Sequence, residues 1–184
     1  MTRLAVRLPA MLAVLVPAAL AVAQSGMVPA SPAHKQMARD VGQWEGEFKM
    51  WMDPAADPIV SKATETSKML GDYWLQTEFS GEIGDQKFAG RGMLGYDPES
   101  KKFVGTWCDT MTPYMSIGEG EYDVAKHALT MTYKARDPMT REMQSSKMVT
   151  TFVDDDTKQA VMYSAPDDAG KSWKMMEITY KRKK

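Results

Sequence analysis

An alternation of period two, beginning at Trp44 and recurring to the end of the chain, limits the possible folds more than any other feature. Trp44, Gly46, Phe48, Met50 and Met52 alternate with Glu45, Glu47 and Lys49, the pattern of a strand with one buried and one wetted face. Further strand-like segments follow near 59–70, 72–81, 86–96, 101–109, 114–122, 127–136, 146–153, 158–165 and 172–181, about ten strands in all. In the clearest of them, His127, Leu129, Met131 and Tyr133 alternate with Ala128, Thr130, Thr132 and Lys134. Turn signals such as Gly71-Asp72, Gly84-Asp85, Asp97-Pro98 and Asp137-Pro138 separate the segments.

Strands at even spacing with no helix between them suit an antiparallel sandwich or an up-and-down barrel. Closure into a barrel removes the edges that a long meander would expose. Glycines inside strands, at Gly90, Gly92, Gly95 and Gly105, suit the tight bends of barrel corners. The expectation is an all-β, about ten-stranded antiparallel up-and-down barrel with a short N-terminal helix over His34–Val41, stopped by Gly42; a sandwich is the alternative.

The first 23 residues read as a secretory signal peptide. Arg3 and Arg7 make a positive n-region, Leu8 to Leu20 an apolar h-region, and Ala21-Val22-Ala23 a small-x-small cleavage signal. The h-region is shorter than the run of about 20 apolar residues that spans a bilayer. An uncleaved N-terminal anchor is the alternative. Residues 24–33, rich in Pro, Ser, Gly and Ala, read as a flexible leader, and 34–184 as one domain. The expected location is periplasmic or secreted.

The start of the first strand resembles that of the lipocalin-like, or calycin, proteins: a short helix leads into Gly42-Gln43-Trp44. That resemblance implies that Trp44 closes the barrel floor and that a basic residue of the last strand, here Arg182, packs across it. A longer set of motifs resembles a bacterial family catalogued as domain of unknown function 1579. It runs from Gly42-Gln43-Trp44 through Phe88-Ala89-Gly90, Gly95-Tyr96-Asp97-Pro98 and Phe103–Asp109 to Glu177–Arg182, nearly the whole of the expected mature chain. The family implies a barrel and no established activity.

Composition closes several function classes. Without Arg3 and Arg7, the remaining chain has 21 basic against 24 acidic side chains, which argues against a nucleic-acid partner. The basic run Lys181–Lys184 reads as a solvated tail. Cys108 is the single cysteine, so no internal disulfide forms, and its place in an apolar run reads as a buried, inert thiol. The two histidines, His34 and His127, offer no zinc spacing, no catalytic triad and no well-placed haem ligand. His127 reads as a half-exposed turn residue. No metal and no cofactor is expected; Asp154-Asp155-Asp156 lacks the glycine of a calcium loop and reads as a solvated hairpin tip.

Methionine is over-represented, at 17 residues, of which 15 lie beyond the signal. Thioethers fill irregular apolar space and line adaptable binding surfaces. Met50, Met52, Met111 and Met115 also suggest Cu(I), but without the clustered Met-x-Met repeats and histidine that would support it. Strand alternation nominates Phe48, Met50, Leu75, Trp107, Met131 and Tyr133 as the lining of a cavity for a small apolar or amphipathic molecule. Glu65 and Arg91 are the candidate polar groups inside it; both, like Glu78, fit an outward position as well. The other readings are an enzyme that uses interior carboxylates such as Glu65 on a hydrophobic substrate, and a ligand-free structural or interaction module with a filled core.

Overall fold

A computed structural model describes residues 28–184. The expected signal peptide and the first part of the leader lie outside the described residues. A six-residue helix, α1 (Pro32–Met37), continues into a short 3-10 turn (Ala38–Asp40). Ten strands follow: β1 (Gly42–Met50), β2 (Ile59–Leu70), β3 (Trp74–Ile83), β4 (Gln86–Asp97), β5 (Lys102–Asp109), β6 (Ser116–Asp123), β7 (Ala128–Arg136), β8 (Met143–Phe152), β9 (Thr157–Ser164) and β10 (Lys174–Arg182). Each pairs antiparallel with the next, and β1 pairs with β10 from Trp44 opposite Arg182 to Met50 opposite Met176, closing the barrel. The sandwich alternative is thereby excluded.

Two sequence expectations shift at element ends. The helix starts at Pro32, two residues before His34, because Ser31 caps it: the His34 ring nitrogen lies 3.0 Å from the Ser31 backbone nitrogen and 2.9 Å from its hydroxyl. The first strand stops at Met50, and Met52 is 72% exposed in the turn that follows. Turn aspartates do the local work expected of them: Asp97, Asp137 and Asp167 each accept hydrogen bonds from backbone amides just downstream.

The helix end of the barrel is its floor. The Trp44 side chain is 1% exposed, donates a 2.9 Å bond from Nε1 to the Asp40 carbonyl, and lies beneath the Arg182 guanidinium, 4.0 Å from the ring centre. Arg182 also donates to the carbonyls of Val41, Arg39 and Asp155. One side chain therefore ties the last strand to the 3-10 turn and to the β8–β9 hairpin. Gly42 makes this possible: its φ is +137°, and a Cβ there would stand 2.6 Å from an Arg182 nitrogen. The Trp44–Arg182 pair implied by the calycin resemblance is present.

At the other end are the loops between β1 and β2, β3 and β4, β5 and β6, β7 and β8, and β9 and β10. They form the mouth. Two apolar clusters fill the wall and floor, one around Trp44, Phe48 and Phe79, the other around Met37, Leu75, Phe103 and Met131.

Candidate functional site

The inner faces of the strands do not meet in the middle. A cavity of about 660 Å³ runs from the floor to the mouth, inside the range of roughly 300–1,000 Å³ usual for small-molecule sites. The interior is therefore not solidly packed. Its walls are mainly thioethers and rings, with Met50, Met131, Met148, Met162, Trp107 and Phe88 on inward strand positions.

The sequence-derived candidates divide cleanly. Met50, Leu75, Trp107, Met131 and Tyr133 border the cavity, and so does Glu65. Phe48 points inward but is buried in the wall against Phe79, with ring centres 5.9 Å apart, and does not reach the cavity surface. Arg91 is a correction: its side chain is 74% exposed and pairs outside the barrel with Glu78 at 3.1 Å. Both sit on the outward phase of paired strands, opposite one another in register, which fixes them in water. Cys108 is a second correction. It is exposed on the outer face of β5, because Phe103, Gly105 and Trp107 take the inward phase; the apolar run hid this alternation. His127 is exposed in the β6–β7 turn, at φ +50°.

Trp107 depends on a glycine. The Gly90 α-carbon lies against the Trp107 ring, so that any Cβ there would overlap it. The ring is held by an Nε1 bond of 3.0 Å to Asp109 Oδ2. Glycine thus lets a large ring lie flat along the cavity wall.

An ion cluster that the sequence reading did not assemble closes the deep end of the cavity. The Lys158 side chain is 2% exposed, and its ammonium contacts the carboxylates of Asp40 and, at 2.5 Å, Glu65. It also lies 4.6 Å from the Trp44 ring centre and 4.8 Å from that of Tyr180. Glu65 Oε1 further accepts from Ser67 Oγ, which stands 3.0 Å from Thr77 Oγ1. The signal for Lys158 was available: Lys158, Ala160 and Met162 share the inward phase of β9. A lysine at a strand start reads as solvated unless a carboxylate across the barrel is known to face it.

Burial and electrostatics set the protonation of this cluster. Burial pushes the Glu65 carboxyl above its ordinary value, and the Asp40 charge adds to that, against the pull of Lys158. Burial alone would lower the Lys158 ammonium, but Asp40 and Glu65 together hold it above the ordinary lysine value. The Tyr180 hydroxyl is driven well above the usual phenol range by burial and then by the Glu65 charge. Two carboxylates therefore share one cation, whose ammonium also lies against two aromatic rings.

Two further phenols mark the walls. Burial pushes Tyr133 up to about 12. Tyr122 Oη is buried without a hydrogen-bond partner among the described residues, on a side chain that borders the cavity. Among those residues no group of three or more His, Cys, Asp or Glu side chains is placed to hold a metal ion. Met50, Met52 and Met111 are all among the residues that border the cavity.

Solved structures of similar fold are a protein from M. tuberculosis, Rv2717c, and the S-type phycobiliprotein lyase CPES from Guillardia theta. The first has a TM-score of 0.64 at 12% identity, over 85% of this chain and all of its own. The second has a TM-score of 0.56 at 11% identity, over 83% of this chain and 93% of its own. Both share the lipocalin-like barrel. No curated protein matches the chain. The profile of the family described as Protein of unknown function (DUF1579) matches residues 29–182, and the chain belongs to that family.

Proposed function

We propose that this barrel binds a small, largely apolar molecule in its cavity. The observation that carries the reading is the cavity itself, hollow from mouth to floor and walled by thioethers and rings, with polar groups confined to a few places. The unpartnered Tyr122 hydroxyl supports it, because a buried polar atom with no partner costs about 1–3 kcal/mol and a ligand atom or water would remove that cost. Methionine suits the task, since its flexible chain adapts to ligands of differing outline. We place the protein outside the cytoplasm on the reading of residues 1–23 as a signal.

A neutral, environment-sensitive naphthylamine dye titrated into the purified protein tests this. Saturable enhancement of its emission is expected, at one dye per chain. Met162→Trp, which projects an indole into the cavity from β9, should weaken it several-fold while leaving the fold intact by circular dichroism. Enhancement unchanged in that variant would move binding to the outer surface and contradict the reading.

A second reading has its own support. Glu65 borders the cavity with its carboxyl held above the ordinary range by burial, the condition of a general acid or base. Turnover of a bound apolar substrate that Glu65→Gln abolishes without loss of binding would favour it.

A further inference from the structure

We propose that the cavity selects amphiphiles whose polar head is a hydrogen-bond-donating cation, and rejects matched anions. This rests on the binding reading above and names the ligand class of the same site.

The charge of the lining comes first. Among the described residues, Asp40, Glu65 and Asp109 supply carboxylates to the cavity wall, and Lys158 is its single basic side chain. Lys158 is already committed to two of those carboxylates. An anionic head arriving at the floor would meet a buried cation already paired with two carboxylates, whose charges oppose a third anion. A cationic head would meet a carboxylate with capacity to spare: the Lys158 and Ser67 bonds to Glu65 both end on Oε1, the Tyr180 hydroxyl is a third partner, and a carboxylate accepts at about four lone-pair sites.

The mouth has the same sign by an independent set of residues. Its five loops carry Asp53, Asp57, Asp85, Asp137 and Glu142 and the pair Asp167-Asp168, against Arg141 and Lys171. Such a rim raises the local concentration of cations and slows anions. The selection therefore holds whichever end of the amphiphile goes in first: a head at the floor meets Glu65, and a head left at the mouth meets the acidic loops.

The rings of the barrel already hold ammonium groups. Trp51, on the mouth side of the lining, has the Lys174 ammonium 4.4 Å from its ring centre, and Trp44 and Tyr180 hold that of Lys158 at the floor. Trp107 and Trp173 border the cavity as well, and their faces offer a cation the same quadrupole attraction.

The experiment is a competition at neutral pH against the neutral naphthylamine dye, with dodecylammonium, dodecanol and dodecanoate, each below its solubility or micelle limit. The expected order is ammonium, then alcohol, then carboxylate, with the ammonium at least about tenfold tighter than the carboxylate, or about 1.4 kcal/mol. Glu65→Gln should narrow that gap. Because Glu65 lies in a buried network, Asp85→Asn with Asp168→Asn at the exposed loops is the companion variant. It leaves the floor untouched and should narrow the gap by several-fold. Equal affinity for the three probes, or preference for dodecanoate, would overturn the cationic selection while leaving the binding reading in place. Dye binding that no probe displaces would overturn the selection too. Failure of the dye and of all three probes to bind would remove the binding reading itself, and the selection with it.

Discussion

The Lys158 ammonium and the Glu65 carboxylate, from strands on opposite sides of the β1–β10 seam, meet at 2.5 Å beneath the cavity of this barrel. The pair is buried and shares its cation with Asp40, so its parts are not independent. Lys158→Met leaves two carboxylates without their cation and is expected to cost about 3–5 kcal/mol. Adding Glu65→Leu removes the more deeply buried of the two charges, and the double variant should recover part of the loss, Asp40 alone remaining without its cation. Urea unfolding of both variants at neutral pH checks this; a double variant no more stable than the single one contradicts it.

Alkali should unfold the protein through its buried phenols. An unfolded tyrosine titrates at about 10, whereas Tyr133 in the barrel is pushed up to about 12. The folded state holds that proton more tightly, so the stabilisation is fully present below about pH 10 and is lost as pH rises from about 10 to about 12. Tyr180 and Lys158, both raised, act with the same sign. A shift of this size corresponds to roughly 2–3 kcal/mol for Tyr133. Tyr133→Phe should flatten the decline measured by chemical unfolding at stepped pH; an unchanged slope would show that the phenol titrates as in water.

The Tyr122 hydroxyl should behave as a functional group that burdens the empty fold. Tyr122→Phe removes a buried, unpartnered oxygen, and the empty protein is expected to gain up to about 1 kcal/mol. If the ligand bonds that oxygen, binding of the native ligand should weaken in parallel. Paired thermal unfolding, with and without ligand, reads both; a destabilised empty variant contradicts the assignment.

Cys108 should react in the native state. It lies exposed on the outer face of β5, with its thiol 3.8 Å from the Arg91 carbonyl, so a maleimide should modify one thiol per chain without denaturant. Protection that ends only on unfolding would place the side chain inside the barrel.

Period two was legible wherever charged and apolar residues took strict turns. Trp44, Glu45, Gly46, Glu47 and Phe48 declare one strand face by themselves, and the aspartate turns declare the strand ends. Legibility failed where both faces carried similar residues. In Phe103–Asp109 the outward positions are Val104, Thr106 and Cys108, too apolar to betray their side, so the thiol was read as buried. Arg91 between two glycines gave no contrast at all. The ion cluster was hidden for a different reason. Asp40, Glu65 and Lys158 are brought together by closure and by the helix under the floor, and the strands that carry Glu65 and Lys158 are 93 residues apart at that contact. No local pattern holds that information. The inward phase of most lining residues was legible, but hollowness was not, because thioethers fill a core as readily as they line a hollow one.

Native mass spectrometry of the protein purified from its own host tests the central claim most directly. The expected spectrum contains the folded chain carrying a noncovalent adduct of small-molecule mass, shed on activation and diminished in Met162→Trp. Repeated preparations that contain only the bare chain, alongside an undiminished signal for the intact barrel, would contradict it.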